Sequence, residues 1–157
     1  MGALGATFGP LLLRRHEEKV AEERATREQV RASITELHLL MDKWVAAHRA
    51  KNQSEIWKLE DQIRAANVTF RLWTNGDDRP MAGLIYTVLS APDFPSAVER
   101  SHSWLDVALE WFRGDIAGDE IEIAYDIYVA EAKKLRAEID AERLAAKRKW
   151  WQCRRRK

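Results

Sequence analysis

The residues best suited by type and spacing to do chemistry are Glu99 and His102, which have the Glu-x-x-His spacing of carboxylate-bridged di-iron bundles. Such a centre needs a second Glu-x-x-His and two further inward glutamates, because two metal ions take ligands from four helices. The residues three positions before the other histidines are Leu, Thr and Val, so the motif has no partner. Ser96 and Glu99 also have the spacing of a capping box, and we predict that they open a helix.

The remaining candidate sites are weaker. Asp115, Asp119, Glu120 and Glu122 lack the alternating ligands and central glycine of a calcium loop, and carboxylates of this kind are favoured at a helix N-terminus. No glycine-rich phosphate loop is present. The single cysteine, Cys153, cannot form an internal disulfide and lies in a basic tail without a rigid base nearby. We therefore predict no catalytic residue, no metal and no cofactor, and expect that the protein is not an enzyme.

The charge distribution is more informative than these motifs. The chain has 26 basic and 25 acidic residues, but residues 147–157 contain seven basic residues and no acidic one. The rest of the chain therefore has 19 basic and 25 acidic residues. Only the tail has the charge that attracts polyanions.

Two tryptophans lie inside this tail, in KRKWWQCRRRK. Indole rings beside Lys and Arg suit a membrane interface, where the rings lie among the headgroups. The same mixture suits nucleic acid, with phosphates neutralised and bases stacked on the rings. In a third interpretation, Trp150 continues the last helix and the remainder is solvated. The predicted contacts to a polyanion or membrane surface are Arg14, Arg15, Lys147, Arg148, Lys149, Trp150, Trp151, Arg154, Arg155, Arg156 and Lys157.

The first thirteen residues, MGALGATFGPLLL, are uncharged and are followed by Arg14 and Arg15. As a helix they are too short to cross about 30 Å of hydrocarbon. They are either a frayed glycine-rich end or the end of a membrane anchor whose arginines mark the cytoplasmic edge. We therefore divide the chain into this segment (1–13), a helical bundle (14–146) and the basic tail (147–157).

Apolar residues recur every three or four positions along most of the chain, which predicts amphipathic helices. Residues 14–29 interrupt this pattern and are predicted to form a charged, solvated rod. Residues 81–90 fit either a helix or a buried strand, and helix is favoured because no second strand candidate exists. The predicted packing residues are Ile34, Leu37, Met41, Trp44, Ile56, Leu59, Ile63, Phe70, Trp73, Leu105, Phe112, Tyr125, Tyr128, Leu135 and Ile139.

These segments predict an all-α protein, an antiparallel bundle of four to five helices with long first and last helices. In an even-numbered bundle, the first and last helices would bring residues 1–13 and the tail to the same end. The unmatched apolar surface of the long helices predicts a homo-oligomer or binding to partner helices.

We therefore predict a non-enzymatic interaction or scaffold module, cytoplasmic and held at the inner face of a membrane. The alternative is a nucleic-acid-associated or virion-type structural protein that uses its basic tail. The Ala/Arg/Trp-rich, lysine-poor composition is typical of a GC-rich bacterial or phage genome.

Overall fold

The computed structural model describes residues 8–74 and 76–154, and within this range it contains five α-helices and no strand. The predicted all-α fold with long first and last helices is confirmed. The elements are α1 (Phe8–Ala50), α2 (Gln53–Trp73), a 3₁₀ turn (Gly76–Asp78), α3 (Arg79–Leu89), α4 (Phe94–Arg113) and α5 (Glu120–Arg154). The ambiguous segment 81–90 lies mostly in helix α3, which buries Met81, Leu84, Ile85 and Val88 with helical spacing.

An asparagine caps α2, and the start of α4 differs from the predicted one. Asn52 caps α2, with its side-chain oxygen accepting from the backbone N–H of Glu55 at 3.2 Å. Helix α4 begins before the predicted Ser96–Glu99 box, because Asp93 is its N-cap and accepts from the backbone N–H of Ser96 at 2.9 Å. Hydrogen bonding from Ser96 keeps the pKa of Asp93 below its ordinary value. Glu99 therefore does not cap α4.

The turn between α4 and α5 depends on a glycine. Gly114 ends α4 with a φ of 84°, in the left-handed region that favours glycine. Before α5, the carboxylate of Glu120 accepts from the backbone N–H of Ala117 at 3.2 Å. This bond links the start of α5 to the turn before it.

The core lies where α1 packs on α2 and α4, and where α3 and α4 close over it. Phe70 of α2 lies at its centre, with its ring edge-to-face against Trp104 at 6.5 Å and Trp111 at 5.7 Å between centroids. Trp44 of α1 is fully buried in the same core. These large rings account for much of the apolar area that stabilises the bundle.

The predicted packing residues fall into three groups by burial. Three are substantially exposed, which corrects their placement in the core: Trp73 by 39%, Leu135 by 59% and Ile139 by 40%. Trp73 is the last residue of α2, and the second half of α5 has no helix covering it. The buried group is Ile34, Leu37, Met41, Trp44, Ile56, Leu59, Ile63, Phe70 and Tyr125, and the half-buried group is Leu105, Phe112 and Tyr128.

The buried face of α4 is one residue out of phase with the predicted one. Trp104, which is not among the predicted packing residues, is fully buried, while the predicted Leu105 is half-buried. Ala97, Ser101 and Ala108 share this buried face at helical spacing, and Val107 is fully buried beside them.

Helices α1 and α5 extend past opposite ends of the bundle. Helix α1 runs antiparallel to α4, since Arg27 lies over the ring of Phe112, 5.2 Å from its centroid. Helix α5 also runs antiparallel to α4, since Arg136 contacts Glu99. The shared end predicted for an even-numbered bundle is therefore wrong for the start of α1 and the described part of the tail, because α3 is a fifth helix and reverses the direction of the last one.

Candidate interaction site at the end of helix α5

The last part of α5 extends beyond the helices that cover its first part. Every described side chain from residue 137 to the end of the helix is exposed. Residues 137–154 correspond to roughly 27 Å of helix at 1.5 Å per residue. The helix is continuous across the predicted boundary at 146/147, so the basic tail begins as part of a rigid rod.

The exposed end of α5 has two distinct faces, because successive residues are rotated by about 100°. We call Leu144, Arg148 and Trp151, spaced four and three residues apart, the outer face. Leu144 and Trp151 are each 56% exposed. We call the opposite side, which continues the packing face of α5, the seam face; it consists of Leu135, Ile139, Ala146 and Trp150.

The two indoles of the tail stand side by side. The rings of Trp150 and Trp151 are edge-to-face, with centroids 5.2 Å apart, and each residue is more than half exposed. Residues 143–154 contain five basic residues and no acidic one. This part of α5 therefore combines positive charge with exposed aromatic surface, as the sequence predicted.

A groove of about 560 Å³ separates the start of α4 from the middle of α5. Its walls are mainly apolar, with Phe94, Pro95 and Val98 on α4 and Leu135 and Ile139 on α5. The groove therefore begins where α4 no longer packs against the seam face of α5. It was not predicted, because it depends on which helices become neighbours.

A buried ion pair joins the two helices at the groove. Glu99 is 5% exposed, and its Oε1 lies 2.8 Å from Nη1 of Arg136, whose side chain is about half exposed. The ion pair neutralises a carboxylate that would be costly to bury alone. Glu99 is thus a packing residue that orients α5, while His102 is exposed at the rim.

Two tyrosines of α5 also attach it to the bundle. The hydroxyl of Tyr128 donates to the carboxylate of Glu110, and this bond raises the pKa of Tyr128 to about 12. Burial raises the pKa of Tyr125 to about 12 as well. Both phenols are therefore protonated at neutral pH, and they pack α5 onto the bundle.

One half-buried histidine lies outside this site. The ring of His48 is edge-to-face with that of Trp44, with centroids 4.5 Å apart, and burial lowers the pKa of His48. Among residues 8–74 and 76–154, no group of three or more His, Cys, Asp or Glu side chains is arranged to hold a metal ion.

The predicted surface contacts are divided between two ends of the molecule. Arg14 and Arg15 are exposed near the start of α1, where Nε of Arg14 lies 3.1 Å from Oε1 of Glu18. Lys147, Arg148, Lys149 and Arg154 lie in α5 at the other end. The predicted contacts Arg155, Arg156 and Lys157, and residues 1–7 of the N-terminal segment, lie outside the described residues.

Comparison with protein-family models, curated proteins and solved structures finds no significant match. Within the part of the chain that the structure describes, no helix has the length and apolar character needed to cross a membrane.

Proposed function

We propose that this protein is a non-enzymatic helical scaffold module that self-associates and binds anionic membrane surfaces through the end of α5. The observation that carries this proposal is the exposed outer face, Leu144, Arg148 and Trp151, on a helical rod that contains only basic charge from Arg143 onward. We assign the protein to the cytoplasmic face of a membrane, where anionic lipids attract such segments.

The outer face favours a lipid surface over nucleic acid. A tryptophan ring rests well at the level of the headgroups, and a leucine one helical turn away can enter the boundary of the acyl chains. Each basic residue near an anionic surface adds about 1 kcal/mol. Arg148 and Trp151 would also suit phosphate and bases, but a nucleic acid offers little apolar surface to Leu144.

We expect full-length protein to co-sediment with vesicles of phosphatidylserine and phosphatidylcholine, and much less with phosphatidylcholine alone. The double substitution Arg148→Gln/Trp151→Ala is expected to weaken binding to the anionic vesicles by at least about tenfold, because it removes one charge and one interfacial ring. Binding is measured as the protein fraction that sediments over a range of lipid concentrations.

The matched control is Trp57→Ala, which removes a tryptophan that is 63% exposed on α2, a helix that does not pack against the described part of α5. Its affinity for vesicles should equal that of the wild type. Equal vesicle binding by wild type and the double variant would contradict the proposal. So would tighter binding to an oligonucleotide that falls steeply with salt, which would favour a nucleic-acid partner.

A further inference from the structure

We propose that the groove between α4 and α5 receives the α5 end of a second copy of this chain, in an antiparallel, two-fold symmetric dimer. This inference rests on the self-association proposed above and assigns its surface and geometry. It accounts for three features that the vesicle proposal does not use: the groove, the seam face and the charge order along α5.

The charges of α5 are arranged in two adjacent blocks. Residues 137–142 contain three acidic residues and no basic one, whereas residues 143–149 contain four basic residues and no acidic one. If two α5 helices overlap antiparallel near Glu142 and Arg143, each acidic block lies beside the basic block of the other copy. A parallel pair would align like charges, which is unfavourable.

The seam face has the same self-complementary order. Leu135 and Ile139 precede the charge boundary, and Ala146 and Trp150 follow it, so the spacings of four, seven and four read the same in both directions. In the antiparallel overlap, Ala146 and Trp150 of one copy therefore lie beside Ile139 and Leu135 of the other. A two-fold axis makes each of these contacts twice.

The groove provides the room that this overlap needs. Leu135 and Ile139 are 59% and 40% exposed in the single chain, and they form one wall of the 560 Å³ groove. The apolar groups of Phe94, Pro95 and Val98 form the opposite wall. An indole that enters such a site is the kind of aromatic anchor that dominates binding energy at interfaces.

In this arrangement, the exposed carboxylate of Asp140 in one copy lies close to the ammonium group of Lys147 in the other copy. In the single chain, Asp140 has only a 4.0 Å contact with Arg143. The pairing also leaves the outer face uncovered and puts two basic α5 ends into one particle. Because each outer face lies opposite its seam face, the two outer faces point away from the dimer interface on opposite sides.

Sedimentation equilibrium of the full chain at low salt is expected to give twice the 18.2 kDa mass of one chain. Leu135→Asp should raise the dimer dissociation constant at least tenfold, because it places a carboxylate among the apolar walls of the groove. Leu72→Asp is the matched control: Leu72 is 77% exposed on α2, and its substitution should leave the dimer unchanged. Circular dichroism checks that each variant remains helical.

A charge exchange tests the antiparallel direction. Asp140→Lys should weaken the dimer, and adding Lys147→Asp should restore it.

Spin labels on the native Cys153 of each copy should be about 30 Å apart, because the two positions lie on opposite sides of the overlap along the helix axis. A parallel pair would bring the labels within about 15 Å.

The outcomes separate the two proposals. A monomer at every concentration overturns both the self-association and this interface. A wild-type dimer that withstands Leu135→Asp, or a short Cys153 distance, overturns the interface while self-association remains. Vesicle binding is measured independently, so its failure leaves the dimer result unaffected.

Discussion

Replacing Trp104 with alanine is expected to lower the free energy of unfolding by about 3–5 kcal/mol. Trp104 is fully buried and packs edge-to-face against Phe70, between helices α2, α3 and α4. Removing the indole loses apolar burial and leaves a cavity that rigid helices fill only in part. Urea denaturation followed by circular dichroism measures the change.

The control for this prediction is Trp57→Ala, because Trp57 is 63% exposed. It removes the same side chain from a surface position, where substitutions usually change stability by less than about 0.5 kcal/mol. Similar losses for the two variants would contradict the assigned core. A loss at Trp104 below about 1 kcal/mol would do so as well.

Replacing Arg136 with leucine is expected to destabilise the protein by about 2–3 kcal/mol, because it leaves the Glu99 carboxylate buried without its cation. Loss of one partner from a fully buried ion pair costs more, but the Arg136 side chain is 47% exposed and water screens part of the interaction. The double variant Glu99→Leu/Arg136→Leu should be more stable than Arg136→Leu alone, because no buried charge remains.

The control for the ion pair is Arg14→Leu. Arg14 contacts Glu18 at 3.1 Å, but both side chains are more than 60% exposed. Loss of such a surface pair costs about 0–1 kcal/mol. If Arg136→Leu cost no more than Arg14→Leu, or if the double variant were the least stable protein, the ion pair would not have the role assigned to it.

Local periodicity predicted the helices well because it records which side of each helix is apolar. From Val30 onward in α1 and along α2, the apolar positions recur in an unbroken pattern of three and four, and the structure buries nearly all of them. On α4, apolar residues such as Leu105 adjoin the true buried face at Trp104, so two phases fit the sequence almost equally well. Only the neighbouring helices decide between them.

The errors at α4 and α5 also have physical causes. Asp93 and Ser96 are both good N-cap residues, and Pro95 between them restricts the backbone in a way that the spacing of Ser96 and Glu99 does not record. Along α5, the apolar pattern continues through Leu135 and Ile139, but periodicity does not indicate where the partner helix ends. These two residues therefore lie on the exposed wall of the groove rather than in the core of the chain.

The groove and the Glu99–Arg136 pair could not be predicted from local patterns. They join residues of two helices that are distant in sequence, and they depend on the direction in which α5 runs. That direction follows from the helix count, and the count depended on the ambiguous segment that forms α3. The basic, tryptophan-bearing tail, by contrast, was evident from composition alone.

Both proposals depend on α5 extending past the bundle, which it does at the end opposite to the start of α1. Arg27 lies beside Phe112 at one end of α4, and Arg136 lies beside Glu99 nearer the other end. Counting helical residues outward from these contacts, position 14 and Cys153 are separated by roughly 65 Å at 1.5 Å per residue.

The most direct measurement is single-molecule energy transfer between dyes on Cys153 and on a cysteine that replaces Arg14, with excess unlabelled protein to exclude transfer between copies. The fold described above predicts low transfer efficiency, consistent with a separation of about 65 Å. High efficiency, from dyes within about 30 Å, would mean that both helices leave the bundle at the same end, and it would contradict the account.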